Sequence, residues 1–382
     1  MERWIFMRSA QALAMKILTV NTGSSSVRLA AFLHHQEKLT ELVSVREDSG
    51  GEPEDILQEF VQVHKLGKVN VVAHRVVHGG MRLTSPCVID RDVEREIECL
   101  APLAPLHNPV ALEWIRAAKE VFGIHMPQVA VFDTAFFTHL PTVAQTYAIP
   151  HELTGKYALR RYGFHGLAHQ AMWQAWRDQH PDFVQNGKII SMQFGAGCSI
   201  TATEKGLPRD TSMGFSPLEG LMMATRSGDL DPGLMTFLQR QESLAPEQMD
   251  RLLNEQSGLS GVSGISADIR ELLKSKDEYA GLAVELYCYR ARKYLGAYLA
   301  VLGGANAVIF GGGVGENVPV VREKILAGME WCGIHLDAKK NSDASGMSCI
   351  SSEASRVEVW VAPVNEATIL AQEAEAVISS RG

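Results

Sequence analysis

KILTVNTGSSSVRLAAF, residues 16–32, reads as strand, tight Gly/Ser turn, strand, and after the turn the apolar positions Val27, Leu29 and Ala31 recur with period two. The plan returns 172 residues on, at 188–203, as KIISMQFGAGCSITAT: a lysine, a short apolar strand, a polar residue, a small-residue loop and a second strand. A recurrence at nearly half the length of a 382-residue chain points to two related halves, each opening with a loop of phosphate size between strands. Further strand-like runs at 70–77, 128–132, 307–310 and 357–362 are each followed by polar or glycine residues, while 244–302 is rich in helix formers with apolar spacings of three and four. An α/β fold is expected, with ligands gathering beyond the strand ends.

Composition narrows the function. With 46% hydrophobic and 21% charged residues the chain is of ordinary globular make-up, outside the disordered class. Lys and Arg number 36 against 44 Asp and Glu, a net charge of −8 that offers no general footprint for nucleic acid or anionic membrane, so a bound anion must be met by local groups. The six cysteines form no CxxC pair, which fits a reducing, cytoplasmic setting, and no apolar run nears the roughly 18 residues of a membrane span. Residues 1–14 lack a signal-peptide core and are expected to be a disordered or non-native extension without functional weight. The 33 glycines fall in short clusters, which mark backbone that turns sharply or approaches a ligand.

Several clusters carry chemistry. Asn21 opens an N-T-G-S-S-S turn with hydroxyls and closely spaced N–H groups, the components of an anion nest, although the same pattern also closes hairpins that bind nothing. FGGGVGENVP, residues 310–319, removes side chains where a flat ring or a phosphate could lie against backbone, or makes a buried turn. Arg75 in HRVVHGG and Arg226 in ATRSGDLDP present guanidinium forks suited to carboxylate or phosphate. Asp133 and Glu366 stand at strand ends, where a hard cation such as Mg2+ wants oxygen, and helix capping is the alternative reading of both. His165, between Phe164 and Gly166, is a candidate donor to an oxyanion; no histidine pair has zinc spacing, and no G-x-S-x-G elbow is present.

VNTGSSSVRL, HRVVHGG, LAPLHNP, VFDTAFF, RYGFHGLAH, DTSMGFSPLEGLMMATRSGDLDPG, GISADIREL, FGGGVGEN and APVNEATIL occur in that order from Lys16 to about Ala376. In these motifs the chain resembles the acetate kinases, of the superfamily that also holds sugar kinases, heat-shock chaperones and actin. The resemblance implies two duplicated ribonuclease-H-like (actin-like ATPase) domains with an interdomain active-site cleft. Residues 15–137 with 366–382 would form the first domain and 138–365 the second. It implies reversible, Mg2+-dependent transfer (Mn2+ being an alternative) of the ATP γ-phosphoryl group to acetate, giving acetyl phosphate and ADP in a homodimeric, cytoplasmic enzyme.

Carried over residue by residue, the resemblance has Arg75 bind the substrate carboxylate, and His165 and Arg226 hold the transferring phosphoryl oxygens. Asn21 and Glu366 position the metal, and Val77, Leu106, Phe164 and Pro217 make the pocket for the acetate methyl. The nucleotide falls to Arg28, to Gln193, Phe194, Gly195, Ala196 and Gly197, to Asp268, Ile269 and Arg270, and to Gly313, Val314, Gly315, Glu316 and Asn317. Asp133 customarily has a proton-transfer role, but acetate, with a pKa near 4, is already ionised at pH 7 and its attack needs no general base, so Asp133 is expected to orient Arg75 or a metal-bound water.

The chain departs from the family pattern in places. Gln193-Phe-Gly-Ala-Gly stands where His-Leu-Gly-Asn-Gly is usual, which removes a group able to become cationic and a side-chain donor. Arg28 replaces a common Lys, and the stretch before HRVVHGG is short, leaving room for one outer β-element fewer. The alternatives carried forward are a propionate or butyrate kinase, a pyrophosphate-dependent acetate kinase, and a non-catalytic actin-like nucleotide-binding protein.

Overall fold

The computed structural model describes residues 14–23, 26–48, 50–183 and 186–381. The expected extension therefore lies, apart from Ala14, outside the described residues, as do Ser24 and Ser25 of the first turn. The chain forms two compact units: the first takes the described residues up to Val76, Ser85–Val131 and those from Ala367 on, and the second takes Val77–Thr84 and Phe132–Glu366.

The first unit is built on β1 (Met15–Thr22), β2 (Ser26–His35), β3 (Lys38–Asp48), β4 (Val71–Val76), β5 (Cys87–Val88) and β6 (Gln128–Phe132), in the order β3-β2-β1-β4-β6-β5. β1, β2 and β3 pair antiparallel, β1 and β4 parallel, β5 and β6 antiparallel. The second unit holds β7 (Lys188–Phe194), β8 (Cys198–Glu204), β9 (Leu207–Thr211), β10 (Ala307–Gly311), β11 (Ser348–Cys349) and β12 (Glu358–Val361), ordered β9-β8-β7-β10-β12-β11. That is the same order strand for strand, with the same antiparallel hairpins and the same parallel neighbour on the first strand. The duplication expected from two sixteen-residue stretches thus extends over both sheets. The short stretch before β4 takes no strand from this common order, since β3 is in place.

One device recurs in both units. The Lys16 N–H donates to Asn70 Oδ1 (2.8 Å), the Asn70 N–H donates to the Lys16 carbonyl (2.9 Å), and Lys16 Nζ donates to the Leu66 carbonyl. Likewise the Lys188 N–H donates to Asn306 Oδ1 (2.8 Å), the Asn306 N–H to the Lys188 carbonyl (2.7 Å), and Lys188 Nζ to the Leu302 carbonyl (2.7 Å). Each lysine thereby ties the start of its unit's first strand to the loop entering the parallel strand, satisfying carbonyls that a helix or loop end would otherwise leave open.

Helices cover the sheets because the central strands are apolar on both faces. In the first unit the helices Pro53–Val63 and Asn108–Phe122 bury Leu57, Phe60 and Trp114 against Leu18, Val20 and Leu29. In the second, Met172, Trp173 and Trp176 of the helix Gly166–Gln179 pack on Ile189, Ala307 and Ile309. Phe194, facing the other way, meets Tyr287 of the helix Glu278–Leu302 with ring centres 5.7 Å apart. No helix among the described residues is long and apolar enough to cross a membrane.

The glycine run after β10 is helical: Gly312–Asn317 forms a six-residue helix. Gly312 enters it at φ +77°, a left-handed conformation that favours glycine, and an added Cβ would lie 2.5 Å from the Phe194 carbonyl oxygen. The carbonyls of Gly315 and Glu316 accept from the buried Arg322 guanidinium at 2.8 and 2.9 Å. Burial pulls the pKa of Arg322 down to about 10.

Candidate active site

In the second unit the helix Gly166–Gln179 is preceded by His165, whose φ of +57° is rare for a residue with a side chain. Strain of this kind persists only where the surroundings over-determine it. His165 Nδ1 lies 2.9 Å from Ser199 Oγ on β8, and the His165 carbonyl accepts from the His169 N–H at 3.0 Å. Gly166 begins the helix because there is no room for more: a Cβ would meet the Asp133 carbonyl and lie 2.8 Å from Phe136 Cβ. Asp133 itself is fully buried at the start of the 3-10 turn Asp133–Phe137.

The β7–β8 hairpin closes through Gly195, Ala196 and Gly197, with the Gly195 N–H donating to the Gly197 carbonyl at 3.0 Å. Over this loop two donors meet. A Cβ placed on Gly197 would lie 3.2 Å from His165 Cε1, 3.3 Å from Nε2 and 3.5 Å from Arg226 Nη1. Arg226 is held by its own Nη1 donating to the Pro217 carbonyl (3.0 Å), and its turn is joined to the loop by the Ala224 N–H donating to the Ala196 carbonyl (3.1 Å). Desolvation lowers the pKa of Arg226, but a guanidinium remains charged at any pH at which the protein is folded. A cation and an imidazole edge over a loop with no side chain larger than a methyl form a setting for an oxyanion with several oxygens.

The other expected residues are distributed as follows. Phe164 and Val77 are buried, and Pro217 is partly buried, all in the second unit. Beside them His78 packs on Phe164 and Tyr162 with ring centres 5.6 and 4.5 Å away, and desolvation lowers its pKa to about 4. Gly313 is open on its Cβ side and Asn317 is exposed. The Glu316 carboxylate turns inward and accepts from the N–H groups of Gly312 (3.0 Å) and Val364 (3.1 Å). Phe194 and Ile269 are in the core, while Gln193 is partly buried and Ala196 exposed. Arg270 is exposed and forks onto Asp268 at 2.6–3.1 Å, which also caps the helix Ile269–Leu272. Glu366 is the first residue of the helix Glu366–Ser379.

In the first unit Arg75, at the end of β4, donates from Nη1 to Asn21 Oδ1 at 3.3 Å, and exposed Arg28 stands across the hairpin from Asn21. Leu106 is exposed there, at 52%. Sequence reading missed Ser199, His169 and the Glu316 clamp. Their partners come together only through strand pairing and one helical turn, and the usable signal was the i, i+4 spacing of His165 and His169.

A family profile described as the acetokinase family matches residues 53–372. The chain is 46% identical over 317 residues to the acetate kinase of Chloroherpeton thalassium, covering 81% of this chain and 76% of that protein. To the acetate kinase of Thermoanaerobacterium thermosaccharolyticum it is 37% identical, covering 96% of this chain and 100% of that one. The crystal structure of Porphyromonas gingivalis acetate kinase fits with a TM-score of 0.84 at 36% identity, covering 96% and 100% of the two chains. A propionate kinase from Francisella tularensis fits with a TM-score of 0.84 at 34% identity, covering 94% and 98%.

Proposed function

The chain belongs to the acetokinase family, and we propose that it is an acetate kinase, transferring the ATP γ-phosphoryl group reversibly to acetate by direct in-line displacement. The observation that carries the reading is the meeting of His165 and Arg226 over Gly197. Phosphoryl transfer asks for positioning and for neutralisation of spread negative charge rather than covalent chemistry, and these two donors supply both. Arg75 binds the acetate carboxylate, Asp133 orients it or a bound water, and Val77, Leu106, Phe164 and Pro217 receive the methyl group. The loop 193–197, Asp268 to Arg270 with Arg28, and Gly313 to Asn317 bind the nucleotide.

Among the described residues no group of three or more His, Cys, Asp or Glu could hold a metal ion. A single pair of oxygens is still compatible with Mg2+, which usually takes one or two protein oxygens and completes its shell with water and phosphate. Asn21 and Glu366 would supply those oxygens. When bound, the ion would neutralise charge on the phosphates. The six free cysteines support a cytoplasmic setting. The helix Pro232–Gln241, with no buried residue and with Leu234 and Phe237 exposed, supports a homodimer.

With ATP, Mg2+ and acetate the protein is expected to form acetyl phosphate; absence of turnover overturns the proposal. The fit to a propionate kinase favours a second acceptor. One methylene is worth about 1–3 kcal/mol, so propionate is expected to react about 10- to 100-fold less efficiently, and a higher kcat/KM for propionate than for acetate would reverse the assignment.

A further inference from the structure

His165 does not stand alone against β8. The β7–β8 register sets Ser191 opposite Thr201 and Gln193 opposite Ser199, so these four side chains share one face of the sheet. His165 and His169 are one helical turn apart. His169 is fully buried, with Nδ1 at 2.7 Å from Ser191 Oγ and Nε2 at 2.8 Å from Ser199 Oγ. Ser199, also fully buried, places the same oxygen 2.9 Å from His165 Nδ1. The result is an unbroken chain: Ser191, His169, Ser199, His165.

The hydrogens in such a chain are countable. A serine hydroxyl has one hydrogen, and Ser199 Oγ touches two ring nitrogens, so it donates to one and accepts from the other. Burial holds His169 neutral, with its pKa lowered to about 3, so that ring also carries a single N–H hydrogen. With His165 neutral, only two arrangements satisfy every contact. In one, Ser191 donates to His169 Nδ1, His169 Nε2–H donates to Ser199, and Ser199 donates to His165 Nδ1, leaving the His165 hydrogen on Nε2. In the other, all three bonds reverse and neutral His165 shows a bare Nε2 to the Gly195–Gly197 loop.

We propose that Ser199, held by His169 and Ser191, is a positioning residue that keeps the hydrogen of neutral His165 on Nε2, facing the Gly197 loop and Arg226. An oxyanion is an acceptor only and selects the first arrangement, so His165 donates a hydrogen bond without having to become a cation beside Arg226. The kinetic consequence rests on the phosphoryl-transfer reading; the position of the hydrogen does not.

The test has two arms. In 15N-histidine NMR of the full-length wild-type protein at pH 8 with inorganic phosphate, His165 is expected in the Nε2–H form; an Nδ1–H ring overturns the proposal whatever the enzyme's activity. In acetyl phosphate synthesis, Ser199→Ala is expected to lower kcat about tenfold with KM for acetate and ATP unchanged, and Ser199→Thr, which keeps the hydroxyl, to recover most of it. An unchanged kcat in Ser199→Ala, or a loss that Ser199→Thr shares in full, also overturns it.

Discussion

The two units share a scaffold and differ in what they hang on it. Register places Asn21 and Arg28 opposite each other on the first hairpin, and Gln193 and Ser199 at the same places on the second. The parallel strand extends the comparison: with Lys16 and Asn70 matching Lys188 and Asn306, His74, Arg75 and Val76 correspond to Phe310, Gly311 and Gly312. Where the first unit projects the Arg75 side chain, the second has no space for one, since a Cβ on Gly311 would lie 2.6 Å from Val364 Cγ2 and 2.7 Å from Met172 Sδ. Duplication preserved the lysine–asparagine ties that hold the sheet and exchanged the side chains at the strand ends. Framework and chemistry therefore occupy separable positions.

The largest effect is expected from forcing the second unit to copy the first. Gly312→Val should destabilise the protein by at least about 3 kcal/mol in urea unfolding, through the left-handed backbone and the Phe194 carbonyl beside it. A loss below 1 kcal/mol would show that the strand ends are interchangeable after all. Next come the histidines buried in each unit, His74 and His169, whose folded pKa values are lowered to about 3 by desolvation from the ordinary 6.5. Between these values only the unfolded chain takes up the proton, so stability is complete near pH 7 and is lost as pH falls through 6.5 towards 3. The loss at pH 5 should be about 2 kcal/mol per histidine. His74→Phe, which installs the second unit's residue, should remove its share of that slope, as should His169→Asn; an unaltered slope in both would contradict the assignment.

Smaller effects test the shared frame. Lys16→Met and Lys188→Met should each lower stability by about 1 kcal/mol, alike within a few tenths, because both lose a bond to a carbonyl at a helix or loop end and the further pairing of Lys188 with Glu204, at 3.8 Å between partly exposed side chains, adds little. Losses differing by more than 1 kcal/mol would mean that the ties are alike in appearance only. Smallest in stability is Arg270→Ala: the side chain is exposed, so the midpoint of unfolding should not move, while KM for ATP should rise severalfold if the pair flanks the base.

Much of this was legible in the chain itself. The strands at 128–132 and 307–310 carry the continuous apolar runs Val129–Phe132 and Ala307–Phe310, and the Lys-strand-loop-strand repeat announced the duplication before any contact was known. The glycine run at 311–313 was harder to read, because its helix depends on the Glu316 carboxylate and on buried Arg322, neither of which has a local signature. The Ser199–His169 chain was illegible for a similar reason: serines on adjacent strands are unremarkable until the register and one helix place both against a histidine.

His165 and Arg226 meet over Gly197. The rate of acetyl phosphate formation in Arg226→Ala, at saturating ATP, Mg2+ and acetate and with unfolding unchanged, tests their joint role most directly. The expected result is a fall in kcat of about 1,000-fold or more, as for loss of an arginine that stabilises a transferring phosphoryl group. A kcat within tenfold of wild type would contradict the account.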